Sequence, residues 1–163
     1  MTQLATDPLT LIHLAISLAA IATGLPVLAA MVKGRTPVTL TGIFLGLTVL
    51  TSATGYLFHN EHVTPAMIIG AISLLILAVA LFAFYGKHLA GRWRATYVIT
   101  ATLALYLNCF VLVIQSFIKI PALHALAPAI PPSGPIFGAI QGIVLISFLV
   151  AGWVAVRAGR TAI

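Results

Sequence analysis

Long apolar runs separated by short polar segments dominate this chain. Five runs are long enough to cross about 30 Å of hydrocarbon as α-helices, a distance that takes about 20 residues. They lack the strict alternation of apolar and polar positions that marks a half-buried strand. The pattern therefore predicts an all-α polytopic membrane bundle, a single domain with five transmembrane helices at about residues 9–32, 38–58, 66–85, 95–118 and 136–156.

The predicted connections differ in length. Three are short, at residues 33–37, 59–65 and 86–94, whereas the last runs from 119 to 135 and contains five prolines. Proline lacks a backbone N–H and favours extended conformations in such runs. We therefore expect the last connection to be extended and stiff rather than helical.

Basic residues indicate which way the chain crosses the membrane. Seven of the eight Lys and Arg residues fall on one side of a five-helix arrangement, and Lys119 falls on the other. Because cytoplasmic loops carry the excess of Lys and Arg, we expect the amino terminus outside and the carboxyl terminus in the cytoplasm. The leader has no basic residue, so we expect the first run to be a retained helix rather than a cleaved signal peptide. The seven residues are Lys33, Arg35, Lys87, Arg92, Arg94, Arg157 and Arg160.

Composition is consistent with lipid as the solvent. Hydrophobic residues make up 61% of the chain and charged residues 6%, whereas a soluble domain carries about 25% charged residues. The net charge of +6 does not indicate nucleic acid, because the basic residues punctuate the apolar runs and form no stripe. The single cysteine, Cys109, excludes an intrachain disulfide. The absence of a G-x-S-x-G motif and of acidic residues within the spans argues against a nucleophilic enzyme and an ion-coupled carrier.

Glycines at four-residue spacing allow transmembrane helices to approach closely. Such pairs occur at Gly42 and Gly46 in the second span and at Gly138 and Gly142 in the fifth. We interpret them as packing the helices within one chain, with self-association or contact with other membrane subunits as the alternative. Aromatic residues of the kind that anchor helices at an interface lie near the predicted cytoplasmic ends. They are Tyr85, Trp93, Tyr97 and Trp153.

Imidazoles gather toward the predicted outer side. His13 lies about 6 Å into the first span, at 1.5 Å per residue. The second and last loops add four candidate metal ligands, because imidazole and carboxylate suit zinc or copper. A b-type haem held by His13 together with a histidine of the second loop, His59 or His62, is a further hypothesis. The four candidate metal ligands are His59, Glu61, His62 and His124.

Amides also occur within the fourth and fifth spans. Asn108, Gln115 and Lys119 share one face of the fourth helix, and Gln141 lies about 9 Å in from the outer surface. Amides in hydrocarbon need a partner, a cavity or water. We interpret them as interhelical hydrogen bonds or, alternatively, as the lining of a pocket for a quinone or another lipid-soluble molecule.

The segment 86–94, Gly-Lys-His-Leu-Ala-Gly-Arg-Trp-Arg, together with segments 106–115 and 119–128, carries a family resemblance. Over residues 73–128 the chain resembles small multi-pass proteins of proteobacteria that have no assigned function. Spans one to three resemble, more loosely, an uncharacterised bacterial family with a Lys-Gly first loop, here Lys33-Gly34. Members of that family place a His-Arg pair at the start of span two, where this chain has Thr36-Pro37. The resemblance implies a bacterial inner-membrane protein and supplies no activity or ligand.

These features predict a non-catalytic accessory or scaffolding subunit in the lipid bilayer. Its outer-facing polar pocket would receive a partner, a lipid or a hydrophobic ligand. The alternatives are a redox protein that binds a b-type haem or a quinone near the outer surface, and a protein that binds zinc or copper there.

Overall fold

The computed structural model describes residues 7–58 and 63–159. Within these ranges no strand occurs, and five helices are long and apolar enough to cross a membrane, which confirms the predicted all-α bundle of a multi-pass membrane protein. A 3₁₀ turn at Gly55–Leu57 lengthens the second helix, and a π-helical turn at Phe82–Gly86 lengthens the third. The helices are α1 (Pro8–Val32), α2 (Val38–Thr54), α3 (Pro65–Leu81), α4 (Arg92–Lys119), the short α5 (Pro121–His124) and α6 (Pro135–Ala158).

Three of the long helices begin at a proline. Pro8, Pro65 and Pro135 open α1, α3 and α6, since proline at the first helical position gives up an N–H that has no intrahelical partner. Asp7 caps α1 by accepting a 3.1 Å hydrogen bond from the backbone N–H of Thr10. These signals place the three helix starts within one residue of the predicted positions.

Alternate helix ends meet at each end of the bundle. At the amino-terminal end, which contains the start of α1, His13 contacts Thr54 at the end of α2. At the carboxyl-terminal end, which contains the end of α6, the backbone of Gly34 lies against the carbonyl of Ala158. The α4 helix starts at this second end and contacts α1, α2, α3 and α6. It is therefore the central helix of the bundle.

The core forms where α4 packs against α1, α2 and α3. Gly24 permits this approach, because a Cβ there would lie 2.5 Å from Leu105 and 2.8 Å from Phe44. Tyr97 is fully buried, and its hydroxyl donates to the Thr41 hydroxyl over 3.4 Å. The prediction that Tyr97 anchors the helix at the membrane interface is therefore wrong, since its ring fills the interior of the bundle.

The α6 helix lies at the periphery. Of its 24 residues, all of which the structure describes, only Ala155 is buried, whereas α4 buries seven residues. Large apolar side chains on α6 face outward, with Ile143 66% and Leu149 62% exposed. Lipid is the solvent that such a surface requires.

The predicted extended last connection is wrong at one point. Residues Pro121–His124 form a helical turn, α5. Proline is tolerated in the first turn of a helix, where its missing N–H costs no intrahelical hydrogen bond. The prolines of this connection therefore do not exclude helical structure at its start.

The glycine pairs do not pack the helices as predicted. A Cβ at Gly46, Gly138 or Gly142 would meet no atom within 4 Å in the described ranges, so their intrachain packing role is wrong. Gly42 alone makes a close approach, with the Tyr85 hydroxyl 2.8 Å from the position of an added Cβ. Self-association through these faces stays a prediction.

Candidate functional site

His13 has a defined hydrogen-bond arrangement at the amino-terminal end. Its Nδ1 lies 2.8 Å from the hydroxyl oxygen of Thr54, and that hydroxyl donates to the Leu50 carbonyl over 2.7 Å. The hydrogen bond between Nδ1 of His13 and the Thr54 hydroxyl joins α1 to α2, and its donor depends on the tautomer of the imidazole. The Phe58 ring packs edge-on against the imidazole, with the two ring centroids 5.2 Å apart.

Most of the predicted metal ligands fall outside the described residues. His59, Glu61 and His62 belong to residues 59–62, which the structure does not describe. His124 ends α5, and its Nδ1 donates to the backbone carbonyl of Phe117 over 3.2 Å. Over residues 7–58 and 63–159, no three His, Cys, Asp or Glu side chains come together to hold a metal ion. The zinc or copper site and the paired haem ligands therefore stay predictions.

The predicted amides lie in different surroundings. The Nε2 of Gln141 donates to the backbone carbonyl of Phe110 over 3.1 Å, which joins α6 to α4. Asn108 lies seven residues after the buried Ala101 on the interior face of α4, and its Nδ2 is buried without a hydrogen-bond partner. Gln115 is half-buried nearer the end of α4. Gln141 is thus an interhelical hydrogen bond, whereas a quinone pocket formed by the three amides stays a prediction.

An apolar groove lies between α4 and α6, in the half of the bundle nearer the carboxyl-terminal end. Its volume is about 440 Å³, within the range of about 300–1,000 Å³ for small-molecule sites. Leu103 and Tyr106 line it from α4, and Phe148 and Leu149 line it from α6. The rings of Tyr106 and Phe148 meet edge-on with centroids 5.8 Å apart. The groove is therefore suited to a hydrocarbon chain.

Thr102 of α4 forms part of the groove wall and is 6% exposed. An added Cβ on Gly152 would lie 3.3 Å from its methyl group, so α4 and α6 approach closely there. The hydroxyl of Thr102 is buried and has no hydrogen-bond partner among the described residues. The buried Thr48 instead donates to the carbonyl of Phe44 over 2.8 Å, as threonines in helices commonly do. The groove wall thus contains an unsatisfied hydroxyl.

A small basic pocket adjoins the groove at the carboxyl-terminal end. It has a volume of about 180 Å³, and Arg92, Arg94 and Gly159 line it. Val156 lines both the pocket and the groove. The guanidinium of Arg94 lies directly against Gly159, where any Cβ would collide with it, and its Nη2 is buried without a hydrogen-bond partner.

Among the described residues, no acidic side chain lines this pocket. The sequence contains two acidic side chains, Asp7 and Glu61. Asp7 caps α1 at the opposite end of the bundle, and Glu61 lies outside the described residues. A guanidinium N–H that is buried without an acceptor is costly. The arrangement therefore favours an anionic ligand beside an apolar chain.

Sequence reasoning missed both the groove and the basic pocket. Ile99, Leu103 and Tyr106 recur at the three- and four-residue spacing of one helical face, which was a usable signal. The predicted fourth span began at residue 95, whereas α4 begins at Arg92. The prediction therefore places Arg94 in a loop and gives it only the role of a marker of membrane orientation.

Comparisons of the chain with protein-family models, with curated proteins and with solved structures found no match.

Proposed function

We propose that this protein is a non-catalytic multi-pass protein of a bacterial inner membrane that binds a lipid-soluble ligand in the groove between α4 and α6. The observation that carries the proposal is the groove itself, whose volume of about 440 Å³ is lined mostly by apolar side chains of α4 and α6. In this role the protein would be an accessory subunit that holds or presents a lipidic molecule.

The proposed orientation has the amino terminus in the periplasm and the carboxyl terminus in the cytoplasm. Six basic residues belong to loops or helix ends at the carboxyl-terminal end, whereas Lys119 ends α4 at the other. This asymmetry is the one that the positive-inside rule describes. The groove would accordingly open in the cytoplasmic half of the bilayer. The six residues are Lys33, Arg35, Lys87, Arg92, Arg94 and Arg157.

The experiment that tests the proposal fills the groove. Leu149→Trp places an indole in the groove, and Leu75→Trp places the same group on the outward face of α3, where Leu75 is 71% exposed. Lipid that remains bound after purification in mild detergent is counted by native mass spectrometry. We expect Leu149→Trp to lose bound lipid that the wild type and Leu75→Trp retain. Equal retention by all three proteins contradicts the proposal.

A second candidate function is redox chemistry at His13. The observation that favours it is the 2.8 Å hydrogen bond between Nδ1 of His13 and the Thr54 hydroxyl, which holds the imidazole by one ring nitrogen. Metal-ligating histidines commonly fix their second nitrogen in this way. Here the second axial ligand would be His59 or His62. Visible absorption of the purified protein tests it: a Soret band that is lost in His13→Ala supports haem, and a colourless protein without iron, zinc or copper rules it out.

A further inference from the structure

We propose that the ligand of the groove is an anionic phospholipid, with an acyl chain between α4 and α6 and the phosphate in the basic pocket at Arg92 and Arg94. This inference rests on the proposed lipid-binding function and adds the chemistry of the headgroup. Its starting point is the buried Nη2 of Arg94, which has no acceptor among the described residues.

The position of Arg94 leaves one of its donors without an acceptor among the described residues. Its guanidinium lies against the backbone of Gly159 at the end of α6. Guanidinium groups bind phosphate through several parallel N–H donors. The side chain of Arg92 lines the same pocket and adds a second cation.

The start of α4 adds backbone donors to the same place. Gly91 precedes the helix and provides no side-chain cap, and Gly91, Arg92, Arg94 and Ala95 all line the pocket. The first N–H groups of a helix lack intrahelical acceptors, and the helix dipole favours an anion there. Phosphate would thus meet two guanidinium groups and a helix amino terminus.

The continuity of the two cavities identifies a lipid rather than free phosphate. Val156 contributes to both walls, so the pocket and the groove are neighbours along α6. At the mouth of the groove, the guanidinium of Arg157 stacks 4.0 Å above the ring of Trp153. Basic pockets between transmembrane helices at the cytoplasmic side are typical sites for anionic headgroups. A molecule with both a phosphate and a hydrocarbon chain satisfies both parts at once.

The test compares the affinity of the full-length protein for phosphatidylglycerol and for zwitterionic phosphatidylcholine, titrated in detergent and followed by native mass spectrometry. We expect the wild type to favour phosphatidylglycerol about tenfold, a factor typical of one charge-assisted contact. Arg94→Gln should abolish most of that preference, while Arg94→Lys should retain part of it. Arg35→Gln removes an arginine at the same end that lines neither cavity and should leave the preference unchanged. Thermal unfolding of each variant checks that it is folded.

The outcomes separate this inference from the proposed function. If Leu149→Trp weakens both lipids and Arg94→Gln removes the preference for phosphatidylglycerol, both proposals are supported. If Leu149→Trp weakens both lipids but Arg94→Gln and Arg35→Gln behave alike, the headgroup assignment is overturned and the groove stands. If Leu149→Trp has no effect on either lipid, the groove itself is overturned. Displacement of phosphatidylglycerol by millimolar inorganic phosphate overturns the lipid as the source of the anion.

Discussion

Helix α4 has two interfaces that differ in how closely they pack, a close seam against α1 and an open seam against α6. On one side Leu105 packs against α1, with Gly24 close enough that a single added carbon would collide. On the other side Leu103 and Tyr106 face α6 across the groove. In water such a groove would be costly, whereas in a bilayer lipid tails cover apolar side chains as well as protein does. Close packing of α4 against α1 therefore stabilises the bundle, whereas the open seam between α4 and α6 is available for a ligand.

Individual polar groups of the bundle also differ, because some have a hydrogen-bond partner within the described residues and others do not. At the amino-terminal end His13 and Asp7 each have a hydrogen-bonding partner, Thr54 and Thr10. At the carboxyl-terminal end the buried Nη2 of Arg94 has none among the described residues. A polar group that is already satisfied inside the protein is a poor indicator of a ligand, and a buried donor without an acceptor is a better one.

The largest expected effect comes from overfilling the close seam. Gly24→Leu forces a side chain against Leu105 and Phe44 and should lower the free energy of unfolding by about 3 kcal/mol. Gly46→Leu is the matched control, since no atom lies within 4 Å of an added Cβ there in the described structure. Thermal unfolding in detergent measures both. Similar losses in the two variants would show that the seam is not closely packed.

A smaller effect is expected when each seam loses a leucine. Leu105 is 1% exposed and Leu103 is 40% exposed. Leu105→Ala leaves a cavity in the core and should cost about 2 kcal/mol, near the low end for such changes. Leu103→Ala should cost about 0.5 kcal/mol or less, because lipid replaces the lost contacts. If Leu103→Ala lowers the free energy of unfolding by more than Leu105→Ala in the same unfolding experiment, protein rather than lipid fills the groove.

Two buried threonines distinguish a satisfied hydroxyl from an unsatisfied one. Thr48→Val removes a 2.8 Å hydrogen bond to Phe44 and should cost about 1 kcal/mol. Thr102→Val removes a hydroxyl without a partner and should leave stability unchanged or slightly higher. Equal destabilisation in detergent unfolding would indicate that Thr102 has a partner in solution.

The smallest expected effect concerns the amide bridge between α6 and α4. Gln141→Leu removes the hydrogen bond to the Phe110 carbonyl and should cost about 0.6 kcal/mol, the average for such bonds in membrane proteins. The composition of bound lipid, read by mass spectrometry, should stay the same. Loss of a bound quinone or lipid without loss of stability would instead support a pocket at the amides.

The sequence was sufficient to predict the five helices and most of their starts. Twenty-residue apolar runs and first-turn prolines at Pro8, Pro65 and Pro135 are local signals, and they need no knowledge of the neighbouring helices. The helical turn at Pro121 differs from the prediction, which takes the prolines to exclude helix from the whole last connection. Proline is excluded from the interior of a helix but not from its first turn.

The sequence does not predict which glycines contact a neighbouring helix, because that depends on how each helix is rotated about its own axis. Gly24 and Gly152 make close approaches, whereas the four-residue pair Gly138 and Gly142 makes none in the described structure. A lipid-facing surface and a protein-facing surface are both apolar, so the sequence pattern does not separate them. For the same reason the sequence pattern does not reveal the groove, and it predicts a position at the membrane interface for Tyr97, which is buried.

The most direct test of the account is to locate a bound anionic lipid on the chain. Nanodiscs are assembled from the protein and phosphatidylglycerol that carries a photoactivatable diazirine in its acyl chain. The nanodiscs are irradiated, and the labelled peptides are sequenced. Lipid bound at the proposed site should place the labels mainly on residues 99–106 of α4 and 145–156 of α6. Arg94→Gln should lower the amount of label on these residues, whereas Arg35→Gln should not. Labels spread evenly over all outward faces, with as many on α3 around Leu75, would contradict the proposed site.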